Sequence, residues 1–242
     1  MGKLIKVIKA SGEVEPFSEE KIISSLMRAG ADRAMAVNIV EEIKPLLYQH
    51  IPTFQVYSTV MKLLRRKQRA LADRYNLKRA IMELGPTGYP FEQFVAAVLR
   101  STGYRAETNR IIQGKCIFHE IDIAAIFQKK KYMIECKFHN KVGFKTETKE
   151  ALYTYARFLD VQHQGFDIPW LVTNTKVTQE VKLYADCVGM KITAWDYPEG
   201  DGLRKLVDES GLYPITSLTS LSLKKKRALI EKGIVFCKDI AS

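Results

Sequence analysis

Two short stretches place charge where buried strands should carry none. They are His119-Glu120-Ile121-Asp122-Ile123-Ala124 and Tyr132-Met133-Ile134-Glu135-Cys136-Lys137. A strand sends residues i and i+2 to the same face. Glu135 and Lys137 therefore project together with Met133, and Glu120 projects with Asp122. The surrounding Ile-Asp-Ile-Ala-Ala-Ile-Phe and Tyr-Met-Ile-Glu-Cys are too apolar for a fully wetted hairpin. Charges in such strands cost several kcal/mol unless paired or metal-bound.

Between the stretches lies Gln128-Lys129-Lys130-Lys131, a polar tip of hairpin-loop length. Pairing Phe127 with Tyr132 sets Asp122 opposite Lys137 and diagonal to Glu135, so that all three converge on one face. An acid on one strand, with an acid and a lysine two apart on the next, can hold a divalent metal against a phosphodiester. The competing reading is a solvent-facing hairpin with an ordinary salt bridge, since alternating charge is common on exposed antiparallel faces.

The chain has 242 residues, enough for two modest domains or one large one with a tail. No apolar run reaches the ~18–20 residues of a membrane span. The start, Met-Gly-Lys-Leu-Ile-Lys, lacks the apolar core of a signal peptide. A soluble, cytoplasmic protein with no membrane partner is expected. Cys116, Cys136, Cys187 and Cys237 are widely spaced, with no CxxC pair and no Cys/His cluster. That argues against structural zinc and for reduced thiols. A formal net charge of +11 favours an acidic partner, most commonly nucleic acid.

Helical signals fill the first third. Ser18-Glu19-Glu20 supplies a cap and first-turn acids, and Gly30 a stop. A second helix is expected over about residues 32–48, and a third opened by Pro52-Thr53 and carrying the basic run Arg65-Arg66-Lys67-Gln68-Arg69. Gly85-Pro86-Thr87-Gly88-Tyr89-Pro90 reads as a linker. The expected domains are 1–84, 85–198 and 199–242. After the linker the order is α-β-β-β-α-β-α-β, which implies a mixed sheet flanked by helices. Past residue 198 a small helical tail is expected.

The central segment resembles the PD-(D/E)xK nucleases, specifically the Mrr-like restriction endonucleases. The resemblance rests on Phe91-Glu92, Gly103-Tyr104, Glu120-Ile121-Asp122, Glu135-Cys136-Lys137 and the later strand and helix of residues 170–188. It implies an α/β fold with a restriction-endonuclease-like mixed sheet, and a Mg²⁺-dependent (or Mn²⁺-dependent) endonuclease acting on DNA. Asp122, Glu135 and the carbonyl of Cys136 would hold the metal, which takes hard oxygen ligands and keeps several waters. Lys137 would orient water or steady charge on the phosphate. Glu92 matches the first-helix acid that often completes such a site. His119-Glu120 stands where many relatives have Gly-x-Asp, so Glu120 is a further ligand or base candidate and His119 either joins it or is an exposed strand-end residue. Lys145 and Lys149 are candidate phosphate contacts, or belong to a solvated helix face.

The N-terminal segment resembles an ATP-cone through Val7-Ile8-Lys9, Gly12, Glu15-Pro16-Phe17-Ser18-Glu19-Glu20-Lys21-Ile22 and a helix opened by Thr53. The resemblance implies a mostly helical domain that binds ATP or dATP, with Lys9 and Lys21 on phosphates and Glu15 and Thr53 near the nucleotide. Ala10 and Tyr57 depart from the family pattern, where a basic residue and a histidine are usual. The tail, from Pro214 through Lys224-Lys225-Lys226-Arg227 to Gly233-Ile234, looks like half of a helix-hairpin-helix. A homodimer would suit the cutting of two strands. Two other functions share these features: a nucleotide-sensing DNA-binding regulator with an inactive nuclease fold, and a Holliday-junction or repair nuclease.

Overall fold

A computed structural model describes residues 4–240. By contacts the described residues divide into two units, residues 4–79 with 217–222 and residues 80–216 with 223–240.

The first unit contains β1 (Lys6–Ile8), β2 (Val14–Pro16), α1 (Glu19–Arg28), α2 (Arg33–Ile43), β3 (Ile51–Pro52), α3 (Thr53–Lys67) and α4 (Arg69–Tyr75). Ser18 Oγ accepts from Lys21 N–H at 3.3 Å, the cap expected there, and Asp32 Oδ1 accepts from Met35 N–H at 2.7 Å and caps the second helix in the same way. Leu26, Ile39, Ile43, Val60 and Leu64 form a buried core between the helices. The strands make one small sheet of order β2-β1-β3, with β1 parallel to β3. The basic run does not lie on one helix. Gln68 turns extended (φ −155°) and separates α3 from α4, and Lys67 is paired with Glu42.

The division between units falls within α5 (Leu77–Met82). The second unit continues with α6 (Tyr89–Ser101), β4 (Arg105–Gln113), β5 (Phe118–Phe127), β6 (Lys130–Lys137), β7 (Lys145–Thr146), α7 (Thr148–Val161), β8 (Ile168–Thr173), β9 (Lys176–Val177), α8 (Gln179–Val188), β10 (Lys191–Thr193), α9 (Leu203–Ser210) and α10 (Leu223–Glu231). Five strands form a mixed sheet of order β10-β8-β6-β5-β4. Pairing is antiparallel from β4 to β6 and parallel from β6 to β10. The expected helix-and-strand order is present, with the two-residue strands β7 and β9 added as a separate parallel pair.

The register of the central hairpin differs from the expected one. Phe127 pairs with Lys130, and the ladder runs to Ile123 opposite Ile134. The loop is only Gln128-Lys129, both left-handed (φ 47° and 66°). Two such residues make the mirror-image turn that matches strand twist, so Lys130 and Lys131 join the strand. Continuing the register places Asp122 opposite Glu135 and Glu120 opposite Lys137. A slip of two keeps every side chain on its face, so the acids and the lysine still gather together.

In the tail, Lys226 is buried. Its Nζ donates to Thr216 O at 2.6 Å and lies 3.8 Å from Glu83. Within Lys224-Lys225-Lys226-Arg227, Lys226 is therefore an internal pin.

Candidate active site

The site occupies a break in the sheet. β5 pairs with β4 on both sides of Asp122, but Asn109 and Asp122 themselves are not a ladder pair, and Asn109 is left-handed (φ 54°). On the other side the β5–β6 ladder stops at Ile123, while β6 continues along β8 to Lys137 opposite Thr173. Backbone groups released by such a break need other partners. Here side chains supply them. Asp122 Oδ2 accepts the Cys136 N–H at 2.8 Å, and the Arg157 guanidinium of α7 donates to the Glu120 carbonyl.

Four acids share this place. Asn109 Nδ2 donates to Glu120 Oε1 at 3.1 Å and to Glu92 Oε2 at 3.4 Å, tying α6 to β5 through β4. Glu135 Oε2 accepts from Arg157 Nη1. Lys137 Nζ stands 3.2 Å from Glu150 Oε1, and the other oxygen of Glu150 accepts the Glu147 N–H as half of a capping box on α7. Glu120 is exposed, whereas Asp122, Glu135 and Glu92 are half-buried. A cleft of about 250 Å³ opens beside them, lined by Glu135, Lys137, Lys149, Glu150, Tyr153 and Leu171. Lys149 thus borders the site, while Lys145 is an exposed residue of β7.

The electrostatics follow from crowding like charges in a partly dry place. Burial and then Asp122 push the Glu135 carboxyl up to about 7, against the pull of Arg157. Burial, then Asp122, push Glu92 up to about 7 as well. Burial raises Asp122 too, although its bond from Cys136 N–H and the nearby Arg157 oppose the shift. Burial raises the Cys136 thiol well above its ordinary range, and along β6 that side chain faces away from Glu135 and Lys137, which leaves the carbonyl of Cys136 as its hard oxygen donor.

The residues present fit a hard divalent cation. Asp122 and Glu135 each use one oxygen to hold position, and among the described residues the other oxygen makes no hydrogen bond. Among the described residues no three His, Cys, Asp or Glu side chains form a ready cage. Two carboxylates, a carbonyl and water make the donor set that magnesium accepts.

His119 stands apart from these acids. It is buried, and its Nε2 donates to Asp160 Oδ2 at 2.8 Å. Asp160 also accepts the N–H groups of Cys116 (2.9 Å) and Ile117 (3.3 Å). A Cβ at Gly114 would lie 2.0 Å from the Asp160 carboxylate, so the turn before β5 needs glycine there. Sequence reasoning missed Asp160 and Arg157. Arg157 was findable: it shares the inward stripe Ala151, Thr154, Phe158 and Val161 of α7, where a charge is out of place.

In the first unit, Glu15 Oε2 lies 2.8 Å from Lys9 Nζ and 3.0 Å from Lys21 Nζ, and Lys9 also meets Glu13 at 3.0 Å. The lysines hold the Glu15 carboxyl below the usual range, Lys9 foremost. Ile8 pairs with Pro52, which puts Lys9 and Thr53 at neighbouring strand ends, and Thr53 opens α3. No side chain caps α3. Lys9 therefore stands near the start of α3, and Lys21 is joined to Lys9 through Glu15.

A mixed sheet with carboxylates and a lysine at the strand where parallel pairing begins, flanked by helices, defines a nuclease-type fold. The chain belongs to the Mrr-type restriction endonuclease family, which it matches over residues 85–205, and it carries an ATP cone domain over residues 5–83. Residues 213–242 match the AF1548-like C-terminal family. An uncharacterized protein of Archaeoglobus fulgidus is 49% identical over 148 residues, which are 61% of this chain and 84% of that protein. A crystal structure described as the protein of unknown function AF1548 is similar with a TM-score of 0.57 and 47% identity, over 64% of this chain and 83% of that one. No helix among the described residues is long and apolar enough to cross a membrane.

Proposed function

We propose that the protein is a metal-dependent DNA endonuclease whose activity or assembly is tuned by ATP or dATP. The observation that carries the proposal is the pair Asp122 and Glu135. Each is fixed through one oxygen and, among the described residues, unspent at the other, and Glu135 lines an open cleft together with Lys137. Asp122, Glu135 and the Cys136 carbonyl would hold Mg²⁺ or Mn²⁺. When bound there, such a cation polarises a phosphoryl oxygen and acidifies water. Lys137, steadied by Glu150, would meet the charge that grows on the phosphate. Glu92, pushed up to about 7, is suited to take a proton from the attacking water near neutral pH. Lys149 and the net charge of +11 favour a polyanionic substrate.

The regulator reading is less well supported, because the acid–lysine set of a working nuclease is intact. The test is to incubate plasmid and branched DNA with Mg²⁺, with and without ATP. Wild type should nick and Asp122→Ala should not. If wild type binds either DNA yet cuts no more than the mutant, the regulator reading replaces this one. A preference for branched DNA would favour the junction nuclease.

For the cone, Lys9 and Lys21 would leave Glu15 for nucleotide phosphates. Calorimetry should detect ATP or dATP binding, and Lys9→Ala or Lys21→Ala should abolish it. Unchanged heats in both variants would remove these lysines from the site.

A further inference from the structure

Arg157 is a buried cation, 8% exposed, in the inward stripe of α7. Burying an arginine is costly unless its charge and N–H groups are met. Here they are met only in part. Nη1 donates to Glu135 Oε2, Nη2 donates to the Glu120 carbonyl, and buried Nε has no hydrogen-bond partner. The guanidinium carbon lies 5.3 Å from the centre of the Tyr153 ring, which borders the cleft. A residue kept solely for packing would be better served by an apolar side chain. What Arg157 adds is a rigid span between two points that the sheet itself no longer joins. β5 and β6 stop pairing at Ile123 and Ile134. Beyond that, the planar fork connects the main chain two residues before Asp122 to the side chain of Glu135.

Resting on the metal-site reading above, we propose that Arg157 is a positioning residue for metal binding, fixing Glu135 against Asp122 so that one oxygen of each faces a shared cation. Three observations converge on this role. Arg157 engages only Oε2 of Glu135, and among the described residues Oε1 has no hydrogen bond, as suits an orienting partner rather than a competitor for the whole carboxylate. Glu92, Glu120, Asp122 and Glu135 gather around Arg157, while Lys137 is already paired with Glu150, so the acids outnumber the cations that face them and a divalent ion can be held with Arg157 still in place. Finally, the fork holds two acceptors at once. Arginine's planar guanidinium does this, and lysine's single ammonium cannot with the same geometry.

The experiment is calorimetric titration of the full chain with Mn²⁺, without DNA, comparing wild type with Arg157→Gln and Arg157→Lys. Circular dichroism and thermal melts establish that each variant is folded at the working temperature. Partners that orient metal ligands typically contribute about 10–100-fold in affinity, so both variants should bind Mn²⁺ more weakly by roughly that factor. Lysine should rescue little, despite keeping the charge. Nicking by the variants should recover as Mn²⁺ is raised. Unchanged affinity in a folded variant, even with a lower melting temperature, would reduce Arg157 to a structural residue. Tighter binding would make it a competing cation, the opposite role. If the glutamine variant does not fold, the charge-retaining lysine variant decides between these outcomes. Absence of any Mn²⁺ binding by wild type would instead overturn the metal-site reading itself.

Discussion

Strand β5 carries two polar arrangements only three residues apart, and they use carboxylates in opposite ways. At His119, the partner Asp160 is fully engaged by an imidazole and two backbone N–H groups. Its carboxyl is held far below the ordinary range, the His119 bond being the largest cause. At Asp122, the carboxylates are half engaged, crowded by like charge, and pushed upward. The first arrangement closes a turn. The second keeps bonding capacity in reserve, which costs stability and leaves room for a ligand. Fully met carboxylates mark structure, and half-met ones mark a candidate site.

The sharpest way to break this contrast is Asp122→Asn. Asparagine can still accept the Cys136 N–H, so the fold should persist, with a metal-free melting temperature equal to or above wild type because a crowding charge is gone. Nicking should fall by about 10²-fold or more, the scale on which a preorganised electrostatic group acts. A variant that nicks normally would dissolve the distinction. Asp160→Asn should do the reverse. It should lower the melting temperature by weakening three bonds at one turn, while the folded variant should nick at close to the wild-type rate.

The smallest effect concerns pH and separates the two arrangements by sign. Asp160, depressed in the folded state, stabilises the fold above the ordinary carboxylate range and loses that contribution as pH falls through its folded value. Glu92 and Glu135, raised to about 7, behave oppositely. The folded state keeps protons that the unfolded chain releases near pH ~4.3. Stability should therefore decline as pH rises from there to about 7, and the full cost should persist above it. In chelator, Glu92→Gln should flatten that decline in denaturant melts. An unchanged slope would remove Glu92 from the crowded cluster.

Much of this was legible in the sequence. Alternation along residues 119–137 located Glu120, Asp122, Glu135 and Lys137, and the cap at Ser18 placed one helix start. The ATP-cone and Mrr-like resemblances agree with the family matches. What could not be read were contacts between distant positions. Asp160 meets His119 across 41 residues, and Arg157 meets Glu135 across 22, and no local pattern encodes either partnership. The hairpin register was hidden for a different reason. Two lysines that look like loop are strand, because the backbone turned at Gln128 and Lys129, neither of which is a usual left-handed residue.

That turn sets the alignment of chemistry some distance away. Asp122 lies five residues from Phe127, about 17 Å along a strand. Sliding the hairpin by two residues would bring Lys137 rather than Glu135 opposite Asp122, yet every apolar side chain would stay on its own face. Hydrophobic burial, which normally polices strand alignment, is blind to an even-numbered error. The hairpin's own guard is the geometry of Gln128-Lys129, two residues with no atom near the acids, which act as the origin from which the site is counted.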